Sequence, residues 1–405
     1  MIYTPSQKTL ERYADVLVNY ALGGGKGIKK GEVVRISASE SAKPLFIELR
    51  KAVLRSGGHI LSNYQPTDSK VFSPSKDFFD CAQEHHFSYF PKKYLRGMAE
   101  EIDHSITIIS TENKKALEGV DPKKIVTLGQ TIKPFRDWLT KKEIEGKFSW
   151  TIALYGTQAM ATEANLPLEE YWGQIQKACF LDKKDPKYEW REAANKLEVI
   201  RKSLNALTIE KLHIKGTDVD LWIKLGKNRQ WIKSNGQNIP SFELFTSPDW
   251  RGTEGWMKFN QPLYRYDSLV TGIELEFKKG IVVNAKADKN EKLLREMIAS
   301  VNADKVGEFS LTDKRFSRIT KFMAETLFDE NIGGRNGNTH IALGMAYKEC
   351  FKGNAKKLKP TDWKKNGFND SPVHTDIVST SPRTVTAHLK NGKERVVYSN
   401  GEFNV

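Results

Sequence analysis

The hydrophobic pattern of the chain changes period once, near residues 208–212, and the two textures call for two different kinds of sheet. Before the change, short apolar runs alternate with helical ones. Glu32-Val33-Val34-Arg35-Ile36 reads as a strand, and Leu45, Phe46, Leu49, Ala52, Val53 and Leu54 then recur at helical spacing. Gly57-Gly58 ends that helix and His59-Ile60-Leu61 resumes as a strand. Alternation of this kind builds a parallel sheet with crossover helices, and residues 105–110 and 149–154 read as later strands of it. An amphipathic helix opens the chain through Leu10, Tyr13, Ala14, Leu17, Tyr20 and Ala21. Thr4 is its expected cap, with Pro5 in the first turn and Gln7 completing a capping box. Two longer helices are expected over 168–180 and 190–207, separated by the polar break at 182–187. After His213 the runs shorten. Residues 212–214, 221–225, 272–277, 280–283 and 395–398 are strand-like and separated by Gly, Asn and Asp turns, the pattern of antiparallel sheet. The expected fold is an α/β domain with a mainly parallel sheet over 1–210, followed by an antiparallel β-rich domain over 211–405.

At 405 residues, 39% hydrophobic and 28% charged, the chain can bury full cores without staples. Its three cysteines, Cys81, Cys179 and Cys350, form neither a disulfide framework nor a zinc motif, which points to a reducing, cytoplasmic compartment. Residues 1–22 carry Glu11, Arg12 and Asp15 among their apolar positions and lack a signal-peptide core. No window approaches the roughly 20 apolar residues of a membrane span. The formal net charge of +14 raises nucleic acid as a partner. The lysines are spread out, however, the densest group being Lys356, Lys357, Lys359, Lys364 and Lys365, and no recognition helix, zinc finger or RNA-binding strand motif accompanies them. The charge is read as solvated lysine surface, and nucleic acid is not an expected partner.

The chemistry-bearing patterns lie in the second half. In Val373-His374-Thr375-Asp376-Ile377-Val378, a strand places His374 and Asp376 on one face, an imidazole and a carboxylate side by side as a divalent metal requires. A surface hydrogen-bonded pair has the same spacing. His340 follows a stretch rich in glycine and asparagine, residues 331–338; if the apolar segment after it is helical, Tyr347 falls two turns on, on the same face. Glu243 and Glu308 are acids flanked by apolar residues, a costly setting unless the charge is paired or metal-bound, or unless each ends a strand in solvent. Two other patterns are set aside. Gly23-Gly24-Gly25-Lys26-Gly27 resembles a phosphate loop, but Gly follows the Lys where Ser or Thr is needed, and it sits between a helix and a strand; it reads as a helix-ending connector. His85-His86, taken as extended, point opposite ways with no third ligand nearby.

Taken together, residues 238–248, 306–311, 327–347 and 373–378 resemble the metal-binding blocks of the thermophilic-type metalloaminopeptidases, the family of aminopeptidase T and aminopeptidase S, in order and in separation. The resemblance extends to Trp150-Thr151-Ile152-Ala153-Leu154-Tyr155-Gly156 and Glu169-Glu170-Tyr171-Trp172, so it spans nearly the whole chain. It implies that Glu243, Glu308, His340, His374 and Asp376 ligate two divalent ions (cobalt, zinc, manganese or magnesium), with Tyr347 at the same site. Glu308 and Tyr347 are the expected catalytic residues. It further implies a homodimer that cleaves the N-terminal bond of peptides with a free amine. The chain departs from shorter versions of the histidine block through Gly333-Gly334-Arg335-Asn336-Gly337, which bears on loop shape and substrate preference. Against this stand another metal-dependent amidohydrolase using the same cage, a metal-bound structural protein without turnover, and a basic nucleic-acid-binding protein with a vestigial peptidase site.

Overall fold

A computed structural model of the chain describes residues 3–69, 71–265 and 268–405. The chain divides into two compact units, 1–192 with 235–241 and 193–234 with 242–405. The division falls inside the helix Pro186–Ala206. The second strand texture begins at the strand Ile209–Gly216.

The first unit is an α/β layer. Its five strands run in the order His59–Gln65, Val33–Ser39, His104–Ile109, Ser149–Leu154 and Asn238–Ile239, every neighbour pair parallel. The last of these, two residues long, is supplied by the 235–241 excursion and has no sequence signature. The opening helix, Gln7–Val16, is capped by Ser6, whose hydroxyl accepts from the Thr9 N–H at 3.2 Å, so Thr4 is not the cap. Ser6 immediately precedes the first helical residue, and its oxygen can reach the third helical N–H. The glycine connector behaves as expected: Gly23 and Gly24, at φ 62° and 65°, break the helical path ahead of the first strand. His85-His86 differ from expectation. They lie in the short helix Glu84–Phe87, exposed, with ring centroids 3.9 Å apart, because helical backbone brings successive side chains within about 100° of each other where a strand opposes them.

The second unit is antiparallel. An eight-stranded sheet and a five-stranded sheet, accompanied by the hairpin Leu263–Arg265 with Ser268–Val270, share one apolar core. The five-stranded sheet has the order His374–Ser379, Asn338–Gly344, Val306–Thr312, Glu243–Thr246, Ile232–Lys233. Leu244, Phe309, Leu311, Ile341, Leu343 and Ile377 project from one of its faces into the core. Burying each such side chain contributes about 1.5–3 kcal/mol, which lets the opposite face carry charge without losing the sheet. The segment after His340, conditionally read as helical, is a strand buried along its whole length. Asn338–Gly344 pairs on both edges, and a short apolar run buried on both faces has no period to distinguish it from a helix.

The start of that strand is held by a close packing. Gly337 has φ 66°, and a Cβ there would sit 2.0 Å from the Tyr398 hydroxyl, which itself donates to the Thr312 carbonyl at 2.9 Å. Gly392 has φ 81° but faces open space. Gly337→Ala is expected to cost about 2–3 kcal/mol, against about 1 kcal/mol for Gly392→Ala, where only backbone strain applies. Urea denaturation of the two variants measures the difference, and equal losses would contradict the packing described.

Candidate metal centre

Strand register alone gathers the site. His340 pairs opposite Val378 on one side and Ser310 on the other; Ala342 pairs with Asp376 and Glu308, Gly344 with His374, and Thr312 with Glu243. Directly paired residues share a face, and so do residues two apart along a strand. Glu243, Glu308, Ser310, His340, His374 and Asp376 therefore emerge together from four adjacent strands, on the face opposite the apolar core.

The side chains converge. His340 Nε2 lies 3.1 Å from Glu243 Oε2, 3.4 Å from Glu308 Oε1 and 3.9 Å from Asp376 Oδ1. His374 Nε2 lies 3.4 Å from Glu308 Oε2 and 3.3 Å from Asp376 Oδ1. Glu308 thus turns one oxygen to each imidazole. The supporting contacts fix orientation: Ser310 Oγ donates to Glu243 Oε2 at 2.8 Å, and His374 Nδ1 meets the Met345 carbonyl at 2.8 Å, which sets its proton on Nδ1 and leaves Nε2 facing the carboxylates. The Phe242 N–H, one residue before Glu243, donates to Asn331 Oδ1 at 2.7 Å. Tyr347 arrives from the loop beyond Gly344, its N–H donating to Ser247 Oγ at 2.8 Å and its ring 4.9 Å from that of His374.

Sequence reasoning missed Glu330. It caps the short helix Thr326–Asp329, is buried, and feels the charges of Glu243, Asp376 and Glu308. Its only sequence signal was its place inside the 327–347 block. Ser310 was equally silent, although it lies two residues from Glu308 on the same strand face.

Four buried or half-buried carboxylates around two imidazoles make an environment short of positive charge. Burial, then the charges of Glu243 and Asp376, hold the Glu330 carboxyl well above its ordinary range. Burial by itself would depress His340, but hydrogen bonds to Glu243 and Glu308 outweigh it and raise the imidazole well above its usual value. His374 is raised in the same way, burial opposing and Asp376 and Glu308 prevailing. Asp376 is lowered to about 2, burial again opposing while His374, His340 and Arg265 prevail. Burial followed by the carboxylate charges raises the Tyr347 phenol and keeps it protonated. The protein on its own recruits protons to neutralise this face, and divalent cations answer the same demand. Two groups have ligand atoms all within 4.8 Å of one another, Glu243 with Glu308 and His340, and Glu308 with His374 and Asp376. Hard oxygen and imidazole donors in this mixture suit divalent ions of the zinc, cobalt and manganese kind. Among the described residues His340 Nδ1 is buried with no hydrogen-bond partner, so its ring is held by packing and by what Nε2 faces.

The family model for the thermophilic metalloproteases, M29, matches residues 6–403. The chain belongs to this family. Among curated proteins it is 27% identical to aminopeptidase PepS of Streptococcus thermophilus, with all of both chains covered. It is 28% identical to aminopeptidase T of Thermus thermophilus, covering 97% of this chain and 98% of that one. The solved structure of wild-type AmpT from Thermus thermophilus superposes with a TM-score of 0.82 at 25% identity, over 98% of this chain and 100% of the other. This M29 chain therefore has the α/β and antiparallel architecture of AmpT. No helix among its described residues is long and apolar enough to cross a membrane.

Because ion uptake needs neutral imidazole, the raised His340 and His374 groups must lose protons as a cation enters. A raised pKa keeps the proton bound to higher pH, so metal affinity is expected to climb as pH rises through the raised values, with protons released at neutral pH. Calorimetric titration of metal-free protein in two buffers of different ionisation enthalpy measures this release. A heat independent of buffer would contradict it.

Proposed function

We propose that the chain is an aminopeptidase that hydrolyses the N-terminal peptide bond of peptides, working at the cluster of Glu243, Glu308, His340, His374 and Asp376. The observation that carries the reading is the pair of three-residue ligand groups sharing Glu308, within an M29 chain whose relatives are named aminopeptidases. Glu243, Glu308 and His340 hold one divalent ion, Glu308, His374 and Asp376 a second, each being cobalt, zinc, manganese or magnesium. When bound, such ions lower the pKa of a water toward neutrality and polarise the scissile carbonyl as Lewis acids.

The remaining work falls to the chain itself. Glu308, with one oxygen toward each imidazole, keeps the two ligand groups in fixed relation. Tyr347, a protonated phenol, donates a hydrogen bond to the oxyanion that develops on the carbonyl oxygen. With the ions in place, the substrate's free α-amine would be held at one of them in its neutral form, which would select an N-terminus over an internal bond. Glu330, buried beside the carboxylates, holds or yields a proton as the charge of the site changes. The chemistry is assigned to residues 211–405, with 1–210 as the accompanying α/β domain. The reading also includes a homodimer, on family resemblance, and the cytoplasm, in keeping with the free thiols of Cys81, Cys179 and Cys350.

Release of free amino acid from short peptides, with and without N-terminal acetylation, tests the reading on protein reloaded with each metal. Acetylation is expected to block release. His374→Ala and Glu308→Ala are expected to abolish turnover with the far-UV spectrum retained, and Tyr347→Phe to lower kcat by about 10²–10³. Equal cleavage of acetylated peptide would replace the aminopeptidase with another amidohydrolase, and near-normal rates in His374→Ala would overturn the site.

A further inference from the structure

From Lys348 to Asn366 the chain carries seven lysines against two acids, Glu349 and Asp362. Asp362 is engaged by the Lys359 N–H at 2.9 Å, and burial raises the Glu349 carboxyl. Lys352, Lys357, Lys359, Lys364 and Lys365 are exposed, and none of these five is in an ion pair among the described residues; the side chain of Lys356 lies outside them.

This is not a loose basic tail. Trp363 packs edge-on against Phe368 at 5.0 Å and Phe351 at 5.6 Å, in a cluster that also contacts Tyr347. The Arg229 guanidinium lies 3.6 Å over the Phe368 ring and donates to the Asn366 carbonyl at 2.6 Å. Arg229 also donates to the Ser247 carbonyl, and Ser247 Oγ accepts the Tyr347 N–H at 2.8 Å. The basic segment is therefore fixed, through Arg229 and Ser247, to the residue that borders the carboxylate cluster. The carboxylate cluster and the lysine platform thus both belong to the second unit.

We propose that this platform selects peptides with acidic residues beyond the scissile bond, their carboxylates resting on Lys352, Lys357, Lys359, Lys364 and Lys365 while the free N-terminus occupies the carboxylate cluster. The inference rests on the aminopeptidase reading and adds a substrate class to it. An extended peptide advances about 3.3 Å per residue, so a substrate held by its N-terminus carries its later residues out of the site and over the surrounding surface. Clustered charge of one sign raises the local concentration of oppositely charged substrate, an effect that salt screens. A nucleic-acid partner fits less well. Single strands need exposed aromatic rings to stack on, and the platform's Trp363 is packed against Phe351 and Phe368.

The test compares two hexapeptides that share their first two residues and carry three acidic or three basic residues after them, with a neutral hexapeptide as reference. On the metal-loaded enzyme at low salt, kcat/KM is expected to favour the acidic peptide by about tenfold or more, falling toward parity near 0.5 M salt, an order of effect set by steering. The Lys357→Ser, Lys359→Ser, Lys364→Ser, Lys365→Ser variant, its folding checked by thermal melting, is expected to lose the preference at all salts. Parity in the wild type overturns the proposal, and so does a preference that survives in the variant. The salt series on the wild type decides the question if the variant does not fold. Binding of mixed RNA that the variant abolishes, with peptide parity in the wild type, overturns it in favour of nucleic acid. Absence of release even from the neutral peptide overturns the aminopeptidase reading beneath it.

Discussion

The structure of the second unit turns on one electrostatic constraint: several carboxylates are held out of water on a single face of a sheet. Isolated, such charges are expensive to bury, and their mutual repulsion adds to the cost. Without metal, the neighbouring carboxylates push His340 and His374 toward their protonated forms, and burial with the same charges does so for Glu330. That response makes the face a receptor for concentrated positive charge. A site that disfavours its own empty, fully ionised state favours the entry of divalent cations.

The other face of the same sheet makes this arrangement affordable. Leu244, Phe309, Leu311, Ile341, Leu343 and Ile377 anchor the four contributing strands in a shared apolar core, so register is set by packing and the charged face follows from it. A one-residue slip would exchange the faces and bury the acids in that core, which fixes the register strongly. Contacts with Ser310, the Met345 carbonyl and Asn331 then orient the individual side chains. The candidate cluster is a consequence of strand pairing, with Tyr347 brought to it by a loop and Glu330 by the end of a short helix.

How much of this was legible in the sequence follows from the range of the forces involved. His374 and Asp376 were readable because the two-residue period of a strand is local, and Glu243 and Glu308 because an acid among apolar neighbours is conspicuous. That they converge with His340 was not derivable from spacing; it came from resemblance across several separated blocks, since strand pairing joins residues as far apart as Glu243 and Asp376. The strand carrying His340 was conditionally read as a helix because burial on both faces erases periodicity. Glu330 and Ser310 stayed silent, because their importance comes from the charges that tertiary closure brings to them. In the first unit, the parallel strands were visible in outline, while the Asn238–Ile239 strand was not, a two-residue segment being defined by its partner alone.

The most direct test of the account is a crystal structure of the metal-loaded protein with anomalous diffraction recorded at the absorption edge of the bound metal. Two peaks are expected, one among Glu243, Glu308 and His340 and the other among Glu308, His374 and Asp376, with Glu308 touching both. Metal bound elsewhere, or this face retaining only protons at saturating metal, would contradict it.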